Sequence, residues 1–439
     1  MSALAKAGER WQALASAEAT RLGASEAPVA GALRRSGLDA FAAQGLPSTR
    51  LEEWRYTNVA ELAAIPWQPA EGRAPEISRD AVEALASPVF ACGLLVFVNG
   101  RFVPELGALR SPEVEVISLG AARRASDPRA LQRIGTLLDV KVHSFAALAT
   151  ACLDDGVCIR FPAGARLRQP LHLVFLSASA DVAPVVAHPR VWIEAGRGSE
   201  AVVVQDHVSL GSAPAFTNSV TELHVGPGAR LSHLLLQREG GAVFHVSNTA
   251  VQLERDAKLA AHVVTLGGRF VRNDLSVQLA GEGAEAVLNG LFLCAGTRLV
   301  DNHTFVDHAV PHGTSRQLYK GVLSGRSRGV FRGRVLVRPQ AQKTDAKQSN
   351  PNLLLSDGAE IDGKPQLEIY ADDVKCSHGS AIGRVDESAL FYLRTRGVDE
   401  ATARALLVRG FAAEVLAALP EPALAEALAD AFAERLGAP

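Results

Sequence analysis

Cysteine, long apolar runs and excess charge are all scarce in this 439-residue chain. No apolar run approaches the roughly 20 residues that a membrane helix needs. The formal net charge of −2 gives no support for nucleic acid or an anionic membrane as a partner. The cysteines are five, widely spaced and without a CxxC pair, which argues against a disulfide framework and against a closed cysteine site for zinc or a cluster: Cys92, Cys152, Cys158, Cys294 and Cys376.

The remaining composition is that of an ordinary globular protein. Hydrophobic residues make up 48% of the chain and charged residues 21%, so bulk disorder is excluded. The first twenty residues are amphipathic and carry Glu9 and Glu18, without the apolar core of a secretory signal. We therefore expect a cytoplasmic protein with reduced thiols.

The N-terminal region, residues 1–65, is predicted to be helical. Alanine is dense there, and Leu4, Trp11, Leu14 and Leu22 recur at helical spacing. In "GLPSTRLEEWRYTNV", Ser48 or Thr49 is expected to cap a short helix that contains Glu52 and Glu53. A proline-rich stretch in residues 66–90 is typical of a linker.

Residues 91–385 are predicted to form the β core. Short β-branched runs alternate with turns, and a small residue follows the turn at a period of 27 to 30 residues, at Ser199, Ala229, Ala257 and Ala284. A repeat of this size with strands throughout favours stacked coils, that is, a β-helix or β-solenoid. A β-sandwich with regularly spaced hairpins is the alternative.

The C-terminal region, residues 386–439, is again predicted to be helical. Asp399 is expected to cap a helix in which Leu407, Phe411 and Val415 form an apolar stripe. Pro420 and Pro422 separate it from a second helix, whose stripe consists of Leu424, Leu428, Phe432 and Leu436. These helices either cover the solenoid or dock a partner, and amphipathicity does not separate the two interpretations.

Two motifs look like chemical sites but do not fit them. "GAEIDGKP", residues 358–365, has the GxxxxGK spacing of a phosphate-binding loop, yet Pro365 stands where that loop needs Ser or Thr, and a strand follows. We interpret it as a turn between strands.

A metal site is suggested by three nearby histidines, His303, His308 and His312. Their spacings of 5 and 4 do not place all three on one strand face, so polar side chains on an outer face are expected.

The stretch "GRSRGVFRGRVLVRP" predicts a strand with one basic face. Its arginines share one parity and its apolar residues share the other: Arg326, Arg328, Arg332, Arg334 and Arg338 against Phe331, Val335 and Val337. The basic face is either solvated or bound to an acidic protein or an anionic ligand. Nucleic acid is disfavoured, because few aromatic residues accompany the arginines.

"YADDVKCSHGSAIG", residues 370–383, carries the densest chemistry. Cys376 and His378 lie two residues apart, so a strand would place them on the same face. No third residue orients a Cys–His nucleophile. As ligands the two suit iron or zinc, but two are too few for a closed site, so a partner chain would have to supply the others. A polar strand end is the remaining interpretation.

Three segments strongly resemble the SufB/SufD family of iron–sulfur cluster assembly proteins. They are "SRQLYKGVLSGRSRGVFRGRV", "KTDAKQSNPNLLLSDGAEIDGKPQLEIYADDVKCSHGSAIGRVDESALFYLRTRG" and "LVRGFAAEVL". The segment "GLPSTRLEEWRYTNV" resembles the SufD branch in particular. The resemblance implies a right-handed parallel β-helix flanked by helical regions. It also implies a non-enzymatic scaffold on which a nascent cluster is built and then passed to apoproteins.

The resemblance further implies partners and site residues. It implies a heterodimer with a SufB-like chain and docking of SufC, an ABC-type ATPase that would bind the nucleotide in place of this chain. A homodimer is allowed when the chain is alone. His378 would be a ligand of a transient cluster shared with SufB, and Cys376 a weaker candidate. Leu406, Leu407, Phe411 and Val415 would lie in the SufC-docking region. Reduced flavin accompanies complexes of the family, although no flavin motif is visible here.

Two other functions remain open on the sequence. A β-helix enzyme of the carbohydrate-active type would need a secretory signal and paired surface carboxylates, and neither is evident. A purely structural adaptor would recruit SufC without binding a cluster.

No counterpart of the sulfur-accepting core cysteine of SufB is evident, since the surroundings of Cys294 do not match.

Overall fold

The computed structural model describes residues 3–23, 26–70, 77–87, 91–125, 128–178 and 183–437. The fold is mainly β, with a β-solenoid of about seven turns in residues 171–383 and helices at both ends. The expected fold class is confirmed, and the β-sandwich alternative is wrong. Among the described helices, none combines the length and the apolarity that crossing a membrane would take.

The helices lie mostly before and after the solenoid. Their bounds are α1 Ala3–Gly23, α2 Pro28–Gln44, α3 Ala60–Ala64, α4 Arg79–Leu85, α5 Leu119–Ala125, α6 Pro128–Leu131, α7 Ser144–Ala151, α8 Glu387–Thr395, α9 Glu400–Leu416 and α10 Pro422–Gly437. Two 3-10 helices span Glu52–Trp54 and Pro104–Leu106.

Two sheets form the walls of the solenoid. Sheet A contains β1 Gln68–Pro69, β5 Glu115–Ser118, β6 Gly156–Phe161, β8 Val185–Ala187, β9 Arg190–Ala195, β11 Ala215–Val225, β13 Val243–Leu253, β15 Phe270–Leu279, β17 Leu299–His308, β19 Arg328–Val337 and β21 Glu360–Ile369. Sheet B contains β2 Gly93–Val98, β3 Arg101–Phe102, β4 Ala108–Leu109, β7 Leu171–Ala178, β10 Glu200–Leu210, β12 Arg230–Gln237, β14 Lys258–Thr265, β16 Glu285–Cys294, β18 Thr314–Leu323, β20 Asp345–Leu354 and β22 Lys375–Gly383.

Each coil contributes one strand to each sheet, and like strands stack in parallel register. In sheet A, β11, β13, β15, β17, β19 and β21 follow one another, and sheet B runs in the same way from β7 to β22. Neighbouring strands lie about 4.8 Å apart, so each coil lengthens the solenoid by that amount. Inward side chains alternate with outward ones along every strand, which is why the coils share one continuous core.

The predicted period has a structural cause at one corner of the coil. Ser199, Ala229, Ala257 and Ala284 are buried to within 1% of full burial, each just before a strand of sheet B. The preceding residue is left-handed at each turn, with φ between 56° and 74°: Gly198, Gly228, Asp256 and Gly283. His312 and Lys343 repeat this conformation, both with φ of 62°, one and two coils later. A tight left-handed turn therefore ends in a small buried residue, and this pair produces the sequence repeat.

The helical ends follow the predicted patterns. Trp11 and Leu22 of α1 are buried, and Asp399 caps α9 by accepting a hydrogen bond from the backbone N–H of Thr402. The expected cap at Ser48 or Thr49 is wrong: Glu52–Trp54 is a 3-10 turn without a side-chain cap.

In α10, Leu424, Leu428 and Phe432 form the buried stripe, whereas the side chain of Leu436 lies outside the described residues. Helices α5 to α7 occur inside the range for which only strands were expected. The bounds of the four regions stay a prediction.

Candidate functional site

His378 and Cys376 lie on β22, the last strand of sheet B. This strand pairs in parallel with β20 on one side, which places His378 opposite Gln348 and Cys376 opposite Ala346. Cys376 packs against the interior core of the solenoid, so both residues are on the inward face. No described coil follows β22, and this inward face is therefore open at the end of the solenoid.

The environments of the two candidate ligands differ. His378 is exposed, and within the described part of the chain its imidazole has no hydrogen-bond partner. Cys376 is partly covered, and burial raises the pKa of its thiol above the ordinary value. A protonated thiol is a poorer ligand and nucleophile than a thiolate. The geometry thus leaves His378 as the more available donor.

A polar column leads through the interior to this strand. Thr304 donates to Gln317 Oε1 at 2.7 Å, and Gln348 Nε2 donates to the same oxygen at 3.2 Å. His378 is the next inward residue in register after Gln348. His378 therefore extends this row of polar side chains by one coil. The earlier members bond to residues of neighbouring coils, but no described coil follows β22 to supply a partner for His378.

The two ends of the solenoid are built differently. At the beginning, the outermost strands are short and antiparallel: β5 has four residues, and β3 and β4 have two each. At the other end, β21 and β22 are ten and nine residues long, and each forms one edge of its sheet. Short antiparallel edges discourage pairing with another chain, whereas long exposed ones invite it.

Large apolar side chains are exposed around the terminal coil. Tyr370 is 63% exposed in the segment between β21 and β22, and Ile382 is 58% exposed on the inward face of β22. Helix α8 follows directly, with Phe391 69% and Tyr392 57% exposed. This concentration of apolar surface beside an open edge is typical of an interaction surface.

The predicted docking residues of α9 differ in exposure. Leu406 is 49% exposed, and Leu407 and Phe411 are partly buried. Val415 is fully buried among residues of the outer face of sheet B, such as Leu291. The helix therefore covers the solenoid with one face and leaves Leu406 in solvent.

Ion pairs within the chain neutralise most of the predicted basic face. Arg328 pairs with Asp362, Arg334 with Glu368 and Arg338 with Asp307, all at 2.7 to 2.8 Å. Arg332 binds Glu53 at 2.8 Å, from the N-terminal segment that the sequence assigned to a short helix. An external acidic partner is therefore not needed to neutralise these four arginines.

The same N-terminal segment closes over a charged cluster on sheet A. Arg272 binds Asp301 at 2.7 Å and lies over the ring of Trp54, at 3.8 Å from its centroid. Thr57 donates to Asp301 at 2.5 Å, and His303 Nε2 lies 2.9 Å from the other oxygen of that carboxylate. These contacts attach the segment to the solenoid.

Neighbouring charges shift the pKa values of the ionisable groups in this cluster. Burial by itself would raise the pKa of Asp301, but the charges of His303 and Arg272 lower it to about 2. Burial and Arg272 oppose protonation of His303, yet the Asp301 carboxylate raises its pKa. The neighbouring His303 is also the main cause of a lowered pKa at Glu53. A cavity of about 350 Å³ lies beside the cluster, and Glu53, Arg272 and His303 are among the residues that line it.

Neither the phosphate-loop-like segment nor the group of three histidines forms a chemical site. In "GAEIDGKP" only Gly358 lies at the predicted turn, since Gly363, Lys364 and Pro365 lie within β21, where Lys364 binds Glu52. The three histidines are not brought together. His303 is on the outer face as expected, but His308 points inward and bonds Ser315 at 2.9 Å. His312 occupies a left-handed turn.

Sequence reasoning missed one cluster. His207, Glu239 and His245 come together at a corner of the interior, and they are the group of potential metal ligands found in the described residues. They stand on different coils, so their sequence spacing carries no ligand motif. The sequence held one sign of this cluster, the alternation of inward and outward residues along a strand. By that alternation His207 lies on the inward face of β10 with Val203 and Gln205.

Family models and curated relatives match most of this chain. Residues 175–411 match the family model described as "SUF system FeS cluster assembly, SufBD core domain", and residues 5–173 match "SufBD protein N-terminal region". The Escherichia coli iron–sulfur cluster assembly protein SufD is 34% identical, over 89% of this chain and 90% of that protein. An iron–sulfur cluster assembly SufBD family protein of Synechocystis is 31% identical, over 88% and 87% respectively. The chain therefore belongs to the SufBD family of iron–sulfur cluster assembly proteins.

Proposed function

We propose that this chain is the SufD-like component of a cytoplasmic assembly complex. It pairs with a SufB-like chain through its terminal coil, docks a SufC-like ATPase through its C-terminal helices, and contributes His378 as a ligand to a nascent iron–sulfur cluster. The cluster is cargo that the complex builds and passes on. The observation that carries the proposal is the exposed imidazole of His378, on the last strand of the solenoid, without a hydrogen-bond partner among the described residues.

The shape of the terminal coil supports pairing with another chain. Two long parallel edges lie side by side there, with exposed apolar residues beside them. A paralogue with the same coil geometry would cover both edges and bury Ile382 and Tyr370. The partner's donors would then face His378 across the interface.

A split site suits a cluster that has to be released. One imidazole and a protonated, half-covered thiol do not hold a cluster by themselves. Donors from a second chain complete the coordination, and a movement between the two chains opens it again. Cys376 is the secondary candidate ligand, since binding iron would displace the proton from its thiol.

The ATPase contact is proposed for the exposed side of the C-terminal helices. Leu406 is the exposed apolar residue among the four candidates in α9, whereas Leu407 and Phe411 are partly buried and Val415 is fully buried against the solenoid. Nucleotide binding belongs to the ATPase, because the phosphate-loop-like motif of this chain lies largely within β21. Reduced flavin is a further cofactor proposed for the complex, at a site outside the sequence motifs of this chain.

No observation favours the carbohydrate-active alternative. A glycosidase needs a carboxylic acid whose pKa is raised. At the described cavity, Glu53 has a lowered pKa and pairs with Arg332, and Asp274 pairs with Arg272. We accordingly propose no catalytic residue for this chain.

Anaerobic reconstitution tests the proposal. The wild type and His378→Ala are each co-expressed with SufB-like and SufC-like partners, supplied with ⁵⁷Fe and sulfide, and compared by Mössbauer spectroscopy. The wild-type complex is expected to hold a cluster and to mature an apoprotein, and His378→Ala to lose most of both. Cys376→Ser is expected to have the smaller effect.

The matched control is His312→Ala, which removes an exposed histidine from a turn. All variants are checked for complex formation by size-exclusion chromatography. An unchanged cluster content in an assembled His378→Ala complex overturns the role of His378. If the Cys376→Ser complex is unchanged as well, the chain is an adaptor without a ligand.

A further inference from the structure

A second cluster of ligand side chains lies inside the solenoid, far from β22. His207 is near the end of β10, His245 is near the start of β13, and Glu239 is in the turn between β12 and β13. All three are at most 1% exposed. One potential ligand atom from each lies within 4.8 Å of those of the other two.

The carboxylate of this cluster is held firmly in place. Glu239 Oε1 accepts hydrogen bonds from Thr217 at 2.7 Å and Ser177 at 3.2 Å. Its Oε2 lies 2.7 Å from His245 Nδ1 and accepts from Gln237 at 3.1 Å. These contacts orient the carboxylate towards the imidazoles, as outer hydrogen bonds do around metal ligands.

The imidazole nitrogens are less well satisfied than the carboxylate. The His207 ring stacks on Phe175 at 4.7 Å and meets the His245 ring edge-on at 4.8 Å. Neither nitrogen of His207, nor Nε2 of His245, has a hydrogen-bond partner among the described residues. Buried polar groups are normally paired, so three unpaired nitrogens beside an oriented carboxylate form a donor set that a further ligand would satisfy.

The chemistry of the donors narrows the class of that ligand. A neutral imidazole offers one ring nitrogen lone pair for coordination, and both nitrogens of His207 are free of hydrogen bonds to the described residues. Two imidazoles and one carboxylate suit borderline first-row divalent ions such as Zn²⁺ and Fe²⁺. Mg²⁺ and Ca²⁺ prefer sites made of oxygen alone.

We infer that His207, Glu239 and His245 bind one divalent transition-metal ion of the zinc and ferrous class. The ion ties β10 to the corner between β12 and β13, so it stabilises the early coils. In the register, His207 is followed by Gln237, Thr265, Phe292, Gly321, Asn352 and Ile382 on successive strands. Six strand spacings of about 4.8 Å separate the site from β22 by about 29 Å.

The test uses the full chain alone, in a Cys376→Ser, His378→Ala background that removes the proposed cluster ligands. Metal is supplied during expression and again to the purified, chelator-treated chain, as Zn²⁺, Co²⁺ or anaerobic Fe²⁺. About one ion per chain is expected by elemental analysis, together with a rise in thermal stability. The Co²⁺ form is expected to show visible d–d bands, and X-ray absorption to show imidazole scattering.

His207→Gln and His245→Gln remove one donor each and are expected to reduce bound metal to less than about a tenth of an ion per chain. His262→Gln is the matched control, because His262 is also buried with an unpartnered nitrogen but lies outside the cluster. Circular dichroism establishes that each variant is folded. A background chain that takes up no ion, or a folded His207→Gln chain that retains it, overturns the inference, whichever way the His378 experiment turns out.

Discussion

Individual charged residues attach the N-terminal segment to the solenoid. The buried Asp301 accepts from Thr57 of that segment and binds Arg272, which also donates to the backbone oxygen of Glu53. Removing one partner of a buried pair leaves the other charge unpaired, at a cost of about 3–5 kcal/mol. Ion pairs also explain the row of arginines in and just after β19, because acidic residues of the same chain neutralise four of them.

The lowered pKa of Asp301 predicts an acid-dependent loss of stability. A carboxylate with a lowered folded-state pKa stabilises the fold above its ordinary pKa of 3.8, and this contribution is lost as the pH falls towards about 2. Between about pH 5 and about pH 3, the wild type should lose about 1 kcal/mol more free energy of unfolding than Asp301→Asn. Urea titrations at each pH measure this. Asp373→Asn, at an exposed carboxylate, should follow the wild-type curve; parallel curves for Asp301→Asn would contradict the assignment.

At the scale of elements, a tight turn with a left-handed residue recurs before successive strands of sheet B. At Gly228, φ is 67° and an added Cβ would meet no atom within 4 Å, so only backbone strain opposes alanine. At Gly281, an added Cβ would lie 1.9 Å from the backbone nitrogen of Arg255 in the preceding coil. The two glycines are thus required for different reasons, the first by conformation and the second by coil spacing.

We expect Gly228→Ala to lower the free energy of unfolding by about 1 kcal/mol. Gly281→Ala should lower it by considerably more, because the coils would have to separate. Gly410→Ala in α9, where no atom lies within 4 Å, should instead raise it by about 1 kcal/mol, as alanine favours the helix. Urea unfolding ranks the three, and an order in which Gly228→Ala is the most harmful would contradict the explanation.

The sequence predicted repeated features better than unique ones. The period set by Ser199, Ala229, Ala257 and Ala284 identified the solenoid, because every coil imposes the same turn. Its continuation through His312 and Lys343 was missed, since both are unusual residues at a left-handed position. The inward cluster around His207 was also missed, because it joins three elements that only the register brings together.

At the scale of the whole molecule, the two ends of the solenoid differ in the length and direction of their edge strands. Short antiparallel strands form the edges at the N-terminal end. The C-terminal end has two long parallel edge strands, with Ile382 and Tyr370 exposed beside them. The asymmetry is expected if one end is finished within the chain and the other is finished by a partner.

A charge at the open end should therefore block assembly. Ile382→Glu is expected to abolish co-purification with the SufB-like partner, since pairing would bury the new carboxylate. Val287→Glu is the control, at a partly exposed residue of β16 within the solenoid wall. Pull-down of the tagged partner measures the effect, and undiminished capture of Ile382→Glu would locate the partner elsewhere.

The central claim is that His378 of this chain ligates the shared cluster. Pulsed electron paramagnetic resonance of the reduced complex, with ¹⁵N-histidine in this chain alone, tests it most directly. We predict a ¹⁵N hyperfine coupling from a directly bound imidazole, which disappears in His378→Cys while the cluster remains. A cluster signal that lacks this coupling in the wild type, or keeps it in His378→Cys, would contradict the account.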